Sequence, residues 1–309
     1  MVNRREMLGT IAAAGATALW PQSAQAMAAG EPSRTALGAA LHRAAHQLLE
    51  RPLVFPDALA LKVLGHDRRA LLRSYFGRQK KSGSRGMRAF IVMRSRYAED
   101  RLADAVARGT RQYIVLGAGL DTFAYRNPFA ERLHVLEVDH PATQDWKRKR
   151  LDEQGIALPS SLTFVPVDFE KDSLGACLDR AGFDRTAPVC ISWLGVTIYL
   201  TQQAVFETLR FVALSCAPGS EITFDFAVPD AELTERERSL RNAGAARVAE
   251  AGEPWISYFN PEELATNLRR IGFARAVSLD SEALNARYFS ERLDGFRVTG
   301  SGHMMTAGT

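Results

Sequence analysis

Three carboxylates in the middle of the chain each stand just past an apolar, strand-like run. Asp121 follows Tyr113 to Leu116 and a glycine turn, Asp139 ends the run from His134 to Val138, and Asp168 follows Leu162 to Val167. If the three runs lie parallel in one sheet, their acids open on a single edge, the edge at which such sheets bind ligands. Asp139 falls about 20 residues past Gly119, the spacing at which nucleoside-binding folds place the acid that accepts from ribose hydroxyls. Glu137 alternates with it and could be the ligand instead. Asp168 and Phe169 bring an acid and an aromatic ring to a strand end, where adenine can stack on Phe169 while its amine donates to Asp168. Taken singly, each acid is as easily a helix cap; their joint spacing favours a ligand.

The turn carrying Gly117 and Gly119 discriminates between ligands. In folds that bind a pyrophosphate, the glycine turn feeds a helix whose N–H groups and positive dipole end attract the anion. Asp121 would repel it, and Thr122 occupies the third glycine position of the G-x-G-x-x-G pattern. S-adenosylmethionine carries a sulfonium, an ammonium and a carboxylate but no phosphate, so an acid at this place is compatible with it. Upstream, Arg94 or Arg96 could hold the methionine carboxylate in a guanidinium fork. The competing role for either is a surface ion pair with Glu99 or Asp100.

These residues need a scaffold of strands alternating with helices, which predicts a doubly wound, mostly parallel α/β sheet. Strands are expected at 113–116, 134–138, 162–167, 189–193, 221–226, 274–279 and 303–307. Helices are expected at 36–50, 58–63, 68–76, 93–107, 174–181, 203–215, 283–292 and from Pro261, with a charged helical insertion at 230–252 read as a cover over an acceptor site. Lys80 to Arg88 reads as a basic loop and a lid hinge. With 309 residues and 46% hydrophobic content the chain can bury a full core, and residues 33–309 read as one domain.

Composition removes several function classes. The net charge of +4 is mixed with acids along helices, and the densest cationic stretch, Trp146 to Arg150, reads as a solvated helix face, so nucleic acid has no support. Cys177, Cys190 and Cys216 are far apart in apolar segments, and the six histidines show no ligand spacing, which argues against disulfides and metal. His42 and His46, one helical turn apart, read as a partly buried helix face. No segment of the mature chain is long enough to span a bilayer. The N-terminus carries Arg4-Arg5, a short apolar region from Ile11 to Trp20, and Ala24-Gln25-Ala26, which together form a twin-arginine export signal over residues 1–26. Export sits awkwardly with a donor made in the cytoplasm, so a cytoplasmic location is the alternative.

Ser33-Arg34-Thr35-Ala36, the loop L-G-A-G-L-D-T-F-A-Y-R, E-V-D-H-P at 137–141, P-V-D-F at 166–169 and W-L-G-V-T-I-Y-L-T at 193–201 resemble the leucine carboxyl methyltransferase-like family. More narrowly they resemble its bacterial branch of S-adenosylmethionine-dependent methyltransferases, and the resemblance spans about residues 33–307. It implies a class I methyltransferase fold, a seven-stranded sheet with its last strand antiparallel. It also implies Asp139 as the ribose acid, Asp168 and Phe169 as the adenine pair, Gly117 and Gly119 as the donor loop, and Arg94 or Arg96 as the carboxylate clamp. Where many relatives have Glu-Gly after the fourth strand this chain has Leu194-Gly195, so a donor contact or acceptor-side acid is missing.

The expected activity is therefore methyl transfer to an oxygen, a carboxylate or hydroxyl, of a small molecule. A carboxylate acceptor needs no general base; a hydroxyl does, and His140, Tyr199 or Tyr258 are then candidates, none of them singled out. Two other readings stay open: a non-catalytic S-adenosylmethionine-binding protein, for which Leu194 and the signal argue, and an NAD-dependent oxidoreductase, against which Asp121 and Thr122 argue.

Overall fold

The structure, a computed structural model, describes residues 33–65, 67–78, 84–168, 171–250 and 252–309. The twin-arginine segment and Phe169 lie outside the described residues.

Parallel strands covered on both faces are mostly apolar and buried throughout, and the central runs show this. β1 (Gln112–Leu116), β4 (Val189–Trp193) and β5 (Glu221–Ala227) are buried along their whole length. With β2 (His134–Asp139), β3 (Leu162–Pro166), β6 (Arg275–Leu279) and β7 (Gly302–Gly308) they form one seven-stranded sheet in the order β3-β2-β1-β4-β5-β7-β6. β3, β2, β1, β4 and β5 pair in parallel, whereas β7 runs antiparallel between β5 and β6. The strand order reverses at the β1/β4 pair, so the carboxyl ends of β1 and β4 flank the crevice where doubly wound sheets take ligands.

Side chains alternate across the sheet as the period of two requires. Ile114, Leu116, Trp193 and Phe224 pack on one face with Leu209 of α6 (Gln202–Ser215) and Leu268 of α8 (Pro261–Arg270). Tyr113 and Val115 face the other way, onto Leu102 and Ala105 of α3 (Ser84–Ala107). α1 (Arg34–Leu49) packs on α3, and its Ala40, Ala44 and Ala45 surround Leu120, just past the glycine turn, with Ala60, Val63 and Leu64. The remaining helices are α2 (Arg68–Arg78), α4 (Pro141–Glu153), α5 (Leu174–Arg180), α7 (Glu235–Glu250) and α9 (Ser281–Tyr288). Caps fix where several begin: Ser33, Thr201, Asn260 and Asp280 each accept from a backbone N–H of the following turn.

Four expectations change. Residues 58–64 form successive turns instead of a helix: the backbone bonds Ala60 N to Asp57 O, Val63 N to Leu59 O and Gly65 N to Lys62 O alternate between three- and four-residue spans, with the Asp57 carboxylate accepting from Leu59 N at 3.0 Å at their start. Ser84 to Arg88 belong to the first turns of α3 and not to a loop. The insertion is helical only over α7, after a single 3-10 turn at 230–232. The cationic stretch of α4 is not wholly solvated: Lys147 is 1% exposed and donates to Glu137 at 2.6 Å. Cys177 and Cys190 are buried and all three cysteines are free; no helix among the described residues is long and apolar enough to cross a membrane, and these residues contain no cluster able to hold a metal ion.

Candidate functional site

The glycine turn closes the crevice because its backbone adopts conformations that glycine alone takes easily: φ is +66° at Gly117 and +45° at Gly119. Gly117 N and Ala118 N donate to Val138 O at 2.8 and 3.1 Å, which fastens the turn to the end of β2. Space is short on both sides. A Cβ at 117 would fall 2.4 Å from Val196 Cγ2 in the loop after β4, and one at 119 would fall 3.0 Å from Ala36 Cβ in the first turn of α1. The turn is clasped between two segments far apart in the chain, one from α1 and one from the loop after β4.

Asp139 meets this turn directly. Its Oδ2 accepts from Gly119 N at 2.5 Å and its Oδ1 from His140 N at 2.7 Å. Burial pushes its carboxyl pKa up, and the two backbone donors oppose that shift. Glu137, the other acid of the same strand, turns away from the edge: it is 1% exposed and accepts from Lys147 Nζ at 2.6 Å and from the Tyr125 hydroxyl at 3.2 Å. Burial raises its carboxyl to about 7. Of the two, Asp139 is the one in contact with the turn.

Beyond the turn the chain does not enter an α-helix; it makes a single 3-10 turn at Phe123–Arg126, which Asp121 starts by accepting from Phe123 N at 2.8 Å. No long helix therefore aims its dipole at the loop, which removes the usual means of holding a pyrophosphate. Asp168 lies one residue past Val167, whose N–H donates to Asp139 O at 2.9 Å, so the ends of β2 and β3 are stitched together. The Asp168 carboxylate accepts from Lys171 Nζ at 2.6 Å.

The two arginines of α3 separate. Arg96 is on the outer surface and pairs with Asp100 at 2.7 Å, one helical turn on. Arg94 points to the carboxyl edge, donates to Asp225 Oδ2 at 2.9 Å, and lies against Gly195, where a Cβ would fall 2.6 Å from Nη2. Glu99 pairs with Arg126 at 2.9 Å.

Sequence spacing gave no warning of three features. Under the turn, Asp57, whose side chain is fully buried, accepts from Thr122 Oγ1 at 2.8 Å and lies 3.5 Å from both Arg43 Nε and Arg126 Nε. Arg43 also donates to Leu120 O. Glu253, 6% exposed, accepts from Arg34 N at 3.0 Å and Thr35 N at 3.3 Å, so a residue of the 252–259 segment caps α1. Asp225 is the third; its signal was an acid in the apolar strand E-I-T-F-D-F, on the face opposite Phe224 and Phe226. Among the base candidates, His140 Nδ1 accepts from Ala142 N at 3.2 Å, burial pushes the Tyr199 hydroxyl up, and Tyr258 lies under the Arg241 guanidinium.

This donor set fits a nucleoside joined to an amino-acid zwitterion: carboxylates at the ends of β1, β2 and β3, and an Arg94–Asp225 pair across the crevice. It does not fit a dinucleotide, because Arg43 and Arg126, the guanidiniums beside the turn, are committed to Asp57 and Glu99.

Residues 36–213 match the family described as leucine carboxyl methyltransferase. The chain belongs to the leucine carboxyl methyltransferase family. A Bacillus subtilis relative, "Putative S-adenosyl-L-methionine-dependent methyltransferase YktD", is 31% identical over 304 residues, 91% of this chain and 99% of its own. A relative with the same functional name from Mycolicibacterium vanbaalenii is 31% identical over 216 residues, 69% of this chain and 70% of its own. Among solved structures, the one described as "a putative methyltransferase from Thermobifida fusca YX" superposes with a TM-score of 0.54 at 18% identity, over 85% of this chain and 99% of that one, which shows the class I fold. The protein is an S-adenosylmethionine-dependent methyltransferase, and S-adenosylmethionine is its cofactor.

Proposed function

We propose that this methyltransferase acts on an oxygen of a small molecule, a carboxylate in preference to a hydroxyl. When bound, S-adenosylmethionine supplies a methyl group activated by its sulfonium, for in-line displacement. The chain's own residues hold and align: Asp139 and Asp168 stand where the nucleoside would lie, Arg94 where the methionine carboxylate would lie, and the clasp of α1 and the loop after β4 excludes water. The observation that carries the preference concerns proton acceptors. His140 uses Nδ1 as a helix cap, and Tyr199 is held in its protonated form by burial. A carboxylate becomes its methyl ester without losing a proton; a hydroxyl must lose one, and needs a base placed to take it.

The test is turnover of methyl-labelled donor by the full-length chain against libraries of small carboxylic acids and phenols. Methyl esters release labelled methanol in mild alkali, whereas aryl methyl ethers do not. The expected product is alkali-labile. Labelled amines or thiols, with neither acids nor phenols methylated, would overturn the reading; a retained S-adenosyl ligand without any turnover would favour the non-catalytic binder.

We also propose export by the twin-arginine route, on the ordered features Arg4-Arg5, Ile11 to Trp20 and Ala24-Gln25-Ala26. The expected mature N-terminus is Met27 in extracytoplasmic fractions of the native host. Full-length protein found only in the cytoplasm would rule it out.

A further inference from the structure

The pair formed by Arg94 and Asp225 is the strongest feature of the molecule that donor-loop spacing leaves unexplained. Their side chains are 13% and 10% exposed, and their surroundings are apolar: Met304 is the residue opposite Asp225 across the β5/β7 ladder and is fully buried, and Leu194 packs in the same cluster with Phe90 and Met93. An ion pair so placed adds little stability over apolar residues of the same size, since desolvation offsets the attraction. Yet the chain braces it from several directions. Gly195 N donates to Asp225 Oδ1 at 2.5 Å, and Thr197 Oγ1 donates to Asp225 O at 2.5 Å. Gly195, at φ +71°, leaves the room that the guanidinium occupies.

Both partners retain hydrogen-bonding capacity. A carboxylate offers about four acceptor positions, and two on Asp225 are used, by Gly195 N and by Arg94. A guanidinium has five N–H donors, and among the described residues Arg94 gives a hydrogen bond to Asp225 alone. The loop after β4 brings no charged side chain of its own here, since it reads Leu194, Gly195, Val196. Opposite charges 2.9 Å apart, each with free positions, match a group that carries both signs on one carbon.

We infer that Asp225 is the acid that binds the α-ammonium of the donor's methionine part, acting beside Arg94 on the α-carboxylate, so that the pair recognises the amino-acid zwitterion as a unit. The inference rests on the donor assignment above and adds to it a residue on β5.

The test is calorimetric binding to the full-length chain of three ligands: S-adenosylhomocysteine, its analogue lacking the α-ammonium, and its analogue lacking the α-carboxylate. In the wild type, loss of the ammonium is expected to weaken binding at least tenfold. Asp225→Asn should weaken S-adenosylhomocysteine at least tenfold and leave the carboxylate-only analogue unchanged or tighter, because a repulsive charge has gone. Arg94→Gln should do the reverse, sparing the ammonium-only analogue. If Asp225 merely holds Arg94 in place, Asp225→Asn weakens S-adenosylhomocysteine and the carboxylate-only analogue by the same factor, and the inference fails. It fails also if the wild type binds the carboxylate-only analogue as tightly as S-adenosylhomocysteine, a result that needs no variant to fold. Absence of wild-type binding to all three ligands would instead remove the donor assignment on which the inference rests.

Discussion

Asp139→Asn separates the role of this residue in the donor site from its role in the loop. Two of the roughly four acceptor positions of a carboxylate are occupied, by Gly119 N at 2.5 Å and His140 N at 2.7 Å. The others remain for the ribose hydroxyls. Hydrogen bonds to a charged acceptor contribute about 1.5 to 3 kcal/mol, and an amide oxygen recovers part of that. The variant should therefore bind S-adenosylhomocysteine about tenfold to a hundredfold more weakly, a loss of about 1.5 to 3 kcal/mol. There is a second, separate cost. Whichever way the amide turns, its NH2 faces one of the two backbone N–H groups, which lowers fold stability by about 1 to 3 kcal/mol. Calorimetry must be run well below the variant's thermal midpoint, so that unfolding does not pass for weak binding. Glu137→Gln is the control: that residue is 1% exposed and faces Lys147, so donor affinity should stay within twofold. Wild-type affinity in folded Asp139→Asn, with a tenfold loss in Glu137→Gln, would refute the assignment and move the ribose acid two residues back.

Two further outcomes concern stability. Because burial holds Glu137 at about 7 in the folded state against 4.5 otherwise, the folded protein keeps a proton that the unfolded chain releases. Its contribution to stability should thus fall as pH rises from about 4.5 to about 7, by up to about 3 kcal/mol, and Glu137→Gln should flatten that part of a urea-denaturation pH series; an unchanged slope would show that the group does not titrate there. Glu253→Ala should cost about 2 to 4 kcal/mol in urea unfolding, since two N–H groups at the start of α1 lose a buried charged acceptor. Because that turn of α1 rests on Gly119, donor affinity should fall several-fold as well; stability within 0.5 kcal/mol of wild type, the usual range for plain surface substitutions, would mean that the cap is idle.

The strands were legible because a sheet buried on both faces needs short, mainly apolar runs, and Tyr113 to Leu116, His134 to Val138 and Val189 to Trp193 supply them. Asp121, Asp139 and Asp168 were legible as the first acids after the runs of β1, β2 and β3. What the sequence could not show was direction. Arg94 and Arg96 stand on one helix two residues apart, and only the packing of α3 against β4 and β5 turns the first toward the edge and the second toward solvent. Asp139 and Glu137 stand two residues apart on β2, and their partners separate them: Gly119 N and His140 N for the first, Lys147 and Tyr125 for the second. Asp225 and Glu253 find their partners 131 and 219 residues away, at separations that no local pattern records. The expected helix at 58–63 failed for a local reason instead: its backbone bonds alternate between three- and four-residue spans, and Gly65 at φ +81° ends the segment.

More than Asp121 favours a cationic donor. Asp57, Glu99 and Asp121 surround the residues just past the glycine turn, and the nearby guanidiniums are those of Arg43 and Arg126. Three carboxylates against two guanidiniums leave one negative charge unmatched, before Asp139 is added. Burial raises the Glu99 carboxyl, Asp121 and Asp57 add to the shift and Arg126 opposes it; the unmatched charge gives the site a negative potential. A pyrophosphate would have to overcome that potential with no α-helix behind the loop to help it. A sulfonium gains from it, by about 1 to 2 kcal/mol for one unmatched charge at about 10 Å and an effective dielectric constant near 20. The same field acts on the reaction in one direction. That attraction would act on a sulfonium and not on a neutral thioether, so the arrangement that selects the charged donor would also favour release of the spent one.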